Sequence, residues 1–396
     1  METNKTLTPL KQKIINHYIY NGTTTIPDLA KELDLSVPTV TKIIAEMCED
    51  GYINTYGKLD TQGGRRPILY GLNPDSGYFL GVDIKSDTVN IALSNFNGEI
   101  IEQDFGIALS SAQTSPEALD ELCIHVNTFI DNCGIARNKI LYACVNISGR
   151  VNPSTGYSFS RYNFSESPLS EIFAEKIGCA TCIENDTRAM TYGEFLQGSV
   201  NGEKNIIFVN LSWGVGIGIV IDGKIYEGKS GFAGEFGHIN VFNNEILCHC
   251  GKKGCLETEV SGSALHREVL KNIANGKTSV LSPKVDSGEE ITLSDIIDAI
   301  NHEDILCIEL IEELGQKLGR NIASLINIFN PEIVIIGGSL SAAKDYILQP
   351  IKLAVRKYSL NLVYNDTTIA CSKLHDKAGV IGACLIARSR MFEQNR

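Results

Sequence analysis

The sequence predicts an α/β protein in which a small helical module with a wing precedes two related α/β halves. Three observations predict it. The first 75 residues carry short helical stripes that end in a pair of β-like runs, and from Gly77 onward strands alternate with helices. A strand-turn-strand opening then occurs twice, once near Gly77 and again near Asn205. With 396 residues the chain is long enough for two or three domains.

In the first module Leu10, Ile14, Ile15, Tyr18 and Ile19 form one helical stripe, which Asn21-Gly22 ends. A second short helix spans Pro27–Leu33. After Asp34-Leu35, Ser36 is placed to cap a third helix, with Pro38 tolerated in its first turn. Val40, Ile43, Ile44 and Met47 repeat at i, i+3, i+4 and i+7 and mark its buried face. Pro38, Thr39, Thr41 and Lys42 lie on the opposite, short and polar face. Two β-like runs follow, Tyr52–Tyr56 and Pro67–Leu72, joined by a stretch containing Gly63-Gly64-Arg65-Arg66. This order is that of a winged helix-turn-helix: the third helix would enter a major groove, while Arg65 and Arg66 on a glycine-loosened wing would reach phosphates or a narrow minor groove. A three-helix interaction module would share the stripes but has no need of a glycine-arginine wing.

Beyond Gly77 the strands read as Tyr78–Ile84, Thr88–Asn95 and Glu99–Ile107, followed by an amphipathic helix over Pro116–Asn132 and a buried strand over Leu141–Ile147. The second half opens with Asn205–Leu211, Gly216–Ile221 and Lys224–Tyr226, and Glu332–Ile336 ends in Gly337-Gly338-Ser339. Simple βαβ units do not begin with antiparallel strands, so the repeated hairpin argues for a two-lobed fold with a ligand cleft rather than a generic doubly wound sheet.

Composition excludes several classes. There are 35 Lys and Arg against 47 Asp and Glu, a net charge of −12, so any nucleic-acid contact belongs to a small part of the chain. The first 75 residues, with eight basic and nine acidic side chains, are the nearly neutral part. The start Met1-Glu2-Thr3-Asn4-Lys5-Thr6 lacks a signal-peptide run, and no stretch approaches a membrane span. Most of the twelve cysteines, such as Cys144, Cys307 and Cys384, stand singly in apolar surroundings, as reduced thiols of a cytoplasmic protein would.

Three cysteines are different. Cys248, Cys250 and Cys255 fall within eight positions among glycines, with His238 ten residues upstream. That set satisfies a tetrahedral Cys3His zinc site with no open position, hence a structural one. His249 is an alternative nitrogen ligand, although two flanking cysteines restrict it. Around this loop stand Glu184-Asn185-Asp186, Gly234-Glu235-Phe236-Gly237-His238 and Glu257. Carboxylates and an amide in concert accept from and donate to vicinal hydroxyls, which is what gripping a sugar requires.

The chain resembles the ROK family (repressors, open reading frames and kinases for sugars) along nearly its whole length. The resemblance rests on Ala233-Gly234-Glu235-Phe236-Gly237-His238, Cys248-His249-Cys250-Gly251-Lys252-Lys253-Gly254-Cys255-Leu256-Glu257, Glu184-Asn185-Asp186 and Asn330-Pro331-Glu332-Ile333-Val334-Ile335-Ile336-Gly337-Gly338. It implies an actin-like (ribonuclease H-like) two-lobed sugar kinase fold with a structural zinc loop. Gly63-Gly64-Arg65-Arg66-Pro67 matches the wing of the family's transcriptional repressors. On this resemblance residues 1–75 form the winged helix-turn-helix and 76–396 the sugar-binding domain. Lobe 1 spans about 76–188 plus a C-terminal helix at about 378–396, and lobe 2 spans about 189–377. Asn185, Asp186, Glu235, His238 and Glu257 would hold the sugar, Asp186 would be the general base in kinase members, and His238 is favoured as the zinc ligand.

The phosphate loops depart from the kinase pattern. Where that pattern reads Asp-x-Gly-x-Thr, this chain has Asp83-Ile84-Lys85-Ser86-Asp87, and Ser212-Trp213-Gly214-Val215-Gly216 replaces Gly-Thr-Gly-Ile-Gly. A carboxylate at Asp87 repels ATP phosphates, and the Trp213 indole replaces a hydroxyl donor, so neither ATP nor Mg2+ is expected as a cofactor. The sequence therefore predicts a sugar-responsive repressor without kinase activity. It would bind palindromic operator DNA as a homodimer or dimer of dimers and take a sugar or sugar phosphate as effector. The alternative is an ATP-dependent, glucokinase-like sugar kinase with an appended DNA-binding domain.

Overall fold

A computed structural model describes residues 8–58, 67–110 and 115–393. The chain forms two compact units. One runs to Gly149 and takes in Thr155–Glu184 and the chain from Ala383; the other comprises Arg150–Ser154 and Asn185–Gly382.

The first unit opens with α1 (Pro9–Asn21), β1 (Thr24–Thr25), α2 (Ile26–Glu32) and α3 (Val37–Glu49). Each helix starts where a hydroxyl can cap it: Thr8, Thr25 and Ser36 accept from the backbone N–H groups of Lys11, Asp28 and Thr39. Ile14, Ile15, Leu29, Val40, Ile44 and Met47 close the core between them. Strands β2 (Ile53–Lys58) and β3 (Ile68–Leu72) form the antiparallel wing ribbon. The sequence pattern did not predict β1, which pairs with β3 at Thr24↔Tyr70 and Thr25↔Leu69. Two residues are too few to show a periodicity.

The same unit continues with β4 (Tyr78–Ile84), β5 (Thr88–Asn95), β6 (Ile100–Ala108), α4 (Pro116–Asn132) and β7 (Ile140–Ile147). The short strands β8 (Val151–Asn152) and β9 (Tyr157–Ser158) follow, then α5 (Leu169–Ile177) and β10 (Thr181–Asn185). The sheet order is β10-β7-β4-β5-β6, antiparallel across β4, β5 and β6 and parallel between β4 and β7. The winged module is sewn to this sheet. Asn73 and Ser76 side chains both donate to the Gly51 carbonyl, at 2.8 Å each. The buried Phe96 ring lies 6.1 Å from Tyr52, 5.8 Å from Phe79 and 5.7 Å from Phe392, one aromatic cluster under the wing.

The second unit holds α6 (Asp186–Gln197), β11 (Ile206–Leu211), β12 (Val215–Ile221), β13 (Lys224–Ile225), α7 (Glu257–Val260), α8 (Gly262–Ala274), α9 (Ser282–Asp286), α10 (Leu293–Asn301) and α11 (Ile305–Phe329). It continues with β14 (Ile333–Gly337), α12 (Asp345–Tyr358), α13 (Asn361–Asp366), β15 (Thr368–Cys371) and the start of α14 (Ala378–Glu393). Its sheet, β13-β12-β11-β14-β15, repeats the first: an antiparallel hairpin-led half, then strands parallel to the opener. The repeated hairpins read from the sequence are thus one topology used twice. Alternation sends Ile207, Val209, Leu211, Val334 and Ile336 to one face, against α8, α10, α11 and α12. Ile206, Phe208, Ile333 and Ile335 go to the other face with Met190 of α6 and Ala378 of α14.

Helices α6 and α14 cross at backbone contact. A Cβ on Gly382 would fall 1.8 Å from the Ala189 carbonyl oxygen, and one on Gly193 would fall 2.6 Å from that of Ala378. Neither clash can be relieved by a side-chain rotation. Gly382→Ala is therefore expected to lower stability by about 1–3 kcal/mol, read as a lower urea midpoint at unchanged slope. An unchanged midpoint would mean the two helices spread without cost.

Candidate DNA interface and candidate metal-flanked polar site

On α3 the structure places Pro38, Thr39, Thr41 and Lys42 at the surface, opposite the buried Val40, Ile44 and Met47, as the spacing predicts. Two of the hydroxyls have local partners. Thr39 Oγ1 lies 2.7 Å from Ser36 Oγ, and Thr41 Oγ1 donates to the Val37 carbonyl at 2.8 Å. These bonds hold the first turn rigid while each oxygen keeps acceptor capacity. Two acidic side chains near the other end of the helix are paired: Lys11 Nζ stands 2.8 Å from Asp50 and 3.4 Å from Glu46. Arg65 and Arg66 lie outside the described residues.

The polar site belongs to the second unit. Strand β10 delivers Asn185 as the N-cap of α6, its side-chain oxygen accepting from Arg188 N at 3.1 Å. Asp186 follows as the first helical residue. Its Oδ1 accepts from Thr187 N at 2.7 Å, from Asn185 Nδ2 at 3.1 Å and from Thr187 Oγ1 at 3.3 Å. A directed chain of bonds continues from there. Asn210 Nδ2 donates to Thr187 Oγ1 at 2.9 Å, Ser212 Oγ donates to Asn210 Oδ1 at 2.7 Å, and Ser339 N donates to Ser212 Oγ at 3.1 Å. Every member donates toward Asp186, so the chain polarises in one sense and stabilises a negative carboxylate. Residues far apart in sequence are linked this way, a connection that no local pattern announces.

Glu235 and His238 are presented by a segment laid flat on β12. Ile217 N donates to the Gly234 carbonyl at 3.1 Å. A Cβ on Gly234 would meet Ile217 O at 2.1 Å and one on Gly237 would meet Val215 O at 2.4 Å, so only glycine allows this approach. His238 is thereby aimed two ways. Its Nδ1 lies 3.5 Å from Cys248 Sγ and its Nε2 lies 3.7 Å from Glu235 Oε2.

His238, Cys248, Cys250 and Cys255 bring one donor atom each to within 4.8 Å of one another. Their spacings fit a tetrahedral ion. Bonds of about 2.3 Å to sulfur and about 2.0 Å to nitrogen give edges of about 3.8 Å between sulfurs and about 3.5 Å between nitrogen and sulfur. The structure has 3.6 Å between Cys250 and Cys255 and 3.5 Å between His238 and Cys248. The loop is a tight knuckle in which Cys248 N donates to Lys252 O and Gly251 N to Cys248 O. Burial pushes the Cys248 thiol up to about 12, so a cation must displace its proton to bind. These four residues can hold a metal ion.

His249, the alternative nitrogen ligand, belongs to a second group that could hold a metal ion, with His238 and Glu257. Its Nδ1 lies 2.9 Å from Glu257 Oε1, while Val215 N donates to Glu257 Oε2 at 2.9 Å. Glu257, only 9% exposed, is thus gripped from the strand and from the metal loop at once. Sequence reasoning did not find the His249–Glu257 pair, because nothing in the spacing says which way a histidine between two cysteines points.

In the first unit Lys85 Nζ pairs with the fully buried Asp83 at 2.7 Å, and Asn146 Nδ2 donates to the same carboxylate at 3.4 Å. The turn is closed on itself, with Lys85 N donating to Thr88 O at 2.9 Å and Arg161 Nη1 to Lys85 O at 2.9 Å. Lys85 therefore places an internal cation where a phosphate loop would offer backbone N–H groups. Among the described residues no helix is long and apolar enough to cross a membrane.

The comparisons with known proteins agree with this geometry. The ROK family profile matches residues 79–390, and a winged helix-turn-helix DNA-binding profile matches residues 7–54. The xylose repressor of Caldicellulosiruptor bescii is 30% identical over 366 residues, 92% of this chain and 91% of its own. A glucokinase of Halalkalibacterium halodurans is 31% identical over 317 residues, 77% of this chain and 93% of its own. The crystal structure of a ROK family transcriptional regulator, a homologue of the E. coli MLC protein, superposes with a TM-score of 0.81 at 28% identity, covering 98% of both chains.

The metal set can be counted directly. Elemental analysis of the purified protein is expected to find one divalent metal per chain, and Cys250→Ser or Cys255→Ser should lose it. A variant that keeps its full metal would remove these cysteines from the ligand set.

Proposed function

Because the chain belongs to the ROK family, we propose that it is a sugar-responsive transcriptional repressor of carbohydrate-use genes, acting in the cytoplasm. The observation that carries this reading is the presence, on one chain, of a winged helix-turn-helix and a ROK family domain, in a protein similar over 92% of its length to a xylose repressor. Residues 1–75 would bind operator DNA, with Pro38, Thr39, Thr41 and Lys42 in the major groove and Arg65 and Arg66 at the wing. One such module reads a half-site, so a homodimer on a palindromic operator is the working assembly. Residues 76–396 would bind a sugar, with xylose as the first candidate. In this reading Asn185, Asp186, Glu235, His238 and Glu257 hold its hydroxyls.

Zinc is the metal proposed for His238, Cys248, Cys250 and Cys255, since three thiolates and one imidazole in a closed tetrahedron suit it. When bound, it fixes the fold of the loop and the orientation of the His238 ring. The chain's own residues do the rest. His238 turns Nε2 toward Glu235, and Glu257 is held by Val215 and His249, so the site is formed before the ligand arrives.

Kinase activity is not part of the proposal. Phosphoryl transfer rests on positioning and charge. Lys85 is engaged with Asp83, and the Ser212 hydroxyl donates into the chain that ends on Asp186. Asp186 then serves as a sugar-hydroxyl acceptor rather than as a base.

A route from sugar to DNA follows from contacts inside each unit. Asp186 heads α6, α6 packs on α14 at Gly382, and Phe392 near the end of α14 packs on Phe96, which touches Tyr52 of the winged module. A sugar that favours one arrangement of α6 can bias the wing along this line, by the 1–3 kcal/mol or so typical of coupled sites.

The test uses DNA selected from random sequence as operator. Sugar should weaken operator binding by the wild type. Asp186→Asn should bind operator normally yet no longer respond to sugar, and turnover of ATP with hexoses and pentoses should be absent. Sugar-dependent ATP consumption, lost in Asp186→Asn, would put the kinase reading first. Phe392→Ala should keep both affinities but shrink the sugar effect on DNA; an undiminished effect would refute the α14 route. Replacing both Arg65 and Arg66 by Ala should flatten the salt dependence of DNA binding by about 0.9 log units for each phosphate that the wing no longer neutralises.

A further inference from the structure

We propose that Trp213 is the platform of a second sugar subsite, so that the effector is a disaccharide or other glycoside rather than a lone monosaccharide. The inference rests on the sugar-binding reading above and extends it.

Trp213 stands in the loop between β11 and β12, and 54% of it is exposed, unusual for so large an apolar side chain and the only tryptophan in the sequence. It is not there through looseness. Ser212 O accepts from Gly262 N at 2.8 Å, Trp213 O accepts from Ser263 N at 3.0 Å, and Ser212 N donates to Gly214 O at 3.0 Å. The indole leans on the His266 ring, with centroids 5.5 Å apart and planes at 53°. His266 is itself fixed: its Nε2 lies 2.9 Å from the Ile291 carbonyl, an acceptor only, so that nitrogen carries the proton. The result is a rigid aromatic pair held open to solvent.

Its position gives it a use. The next residue, Gly214, lies against the Glu257 carboxylate, where a Cβ would come within 2.6 Å of Oε2, and Val215 N donates to that same oxygen. Successive Cα atoms are about 3.8 Å apart, so the indole is rooted within about 8 Å of Val215, the residue whose N–H holds the carboxylate. The surroundings select what can sit there. The first N–H groups of α8, which would face an anion, are taken by the Ser212 and Trp213 carbonyls, and Glu257 adds negative charge beside the loop. A phosphate is disfavoured on both counts. A neutral pyranose is not. Its C–H face carries partial positive charge that the negative face of an indole attracts, while its rim hydroxyls meet polar groups.

The experiment reads the fluorescence of the single tryptophan in full-length, zinc-loaded protein titrated with xylose, glucose, xylobiose, cellobiose, phenyl β-D-xyloside and AMP-PNP. At least one disaccharide or the phenyl glycoside should shift the emission and bind about tenfold or more tighter than its monosaccharide. By calorimetry, Trp213→Ala should bring that ligand down to the monosaccharide's affinity while leaving the monosaccharide within about twofold, and Trp213→Phe should restore part of the gain. Equal affinity for mono- and disaccharides, or equal weakening of both by Trp213→Ala, would overturn the subsite. Quenching by AMP-PNP would overturn it too, since the indole would then be stacking a base. Failure of every saccharide to bind would instead bring down the sugar-binding reading itself, and the subsite with it.

Discussion

One nearly buried carboxylate organises the second unit. Glu257 must be satisfied where it stands, because an ionised group taken out of water without partners costs several kcal/mol. Its partners come from opposite sides: Val215 N from strand β12 and His249 from the cysteine loop. Meeting both requires backbone to come very close, and the sequence answers with glycine at 214 and 237, where any side chain would strike Glu257 or the strand. The motif that precedes His238 and the loop that follows it are therefore two halves of one constraint. A carboxylate that cannot turn away leaves its acceptor capacity fixed in space, which is the property a hydroxyl-binding site needs.

The same logic separates what the sequence made legible from what it hid. Helix α3 was readable because its burial alternates over four turns with a capping serine in front, all of it local. The hairpin-led halves were readable because apolar runs extend over six to eight residues per strand. The cysteine spacing named a donor set, and the structure brings those four donors together. Hidden were the side-chain pairings: Lys85 on Asp83 buried beside Asn146, His249 on Glu257, and the directed chain from Ser339 to Asp186. Some join near neighbours whose side-chain direction no spacing fixes, and others join residues up to 127 positions apart, where periodicity carries no signal. Strand β1 was hidden for the opposite reason, being too short to have a pattern at all.

Loss of a phosphate loop leaves polar backbone and side-chain groups that must find other partners, or the loop becomes a defect. In this chain both loops are closed by such replacements. Lys85 neutralises Asp83 and its own N–H returns to Thr88, while the Ser212 hydroxyl and the carbonyls of Ser212 and Trp213 are taken up by Asn210 and the start of α8. Both loops thus hold most of their polar groups internally, in keeping with the proposal that the fold serves binding.

The DNA-binding half sets how strong the sugar's leverage must be. The exposed face of α3 offers two threonines, a proline and one lysine, and its threonine hydroxyls already hold local bonds. Against a chain of net charge −12, such a face has little electrostatic attraction to add. On the proposed homodimer, occupancy of the operator would depend on two modules engaging together at fixed spacing. Such a complex would be sensitive to small displacements, because a shift that spoils the second half-site forfeits the benefit of pairing. A sugar that prefers one spacing of the proposed dimer by about 1–3 kcal/mol would weaken operator binding by that same amount, about 5- to 150-fold.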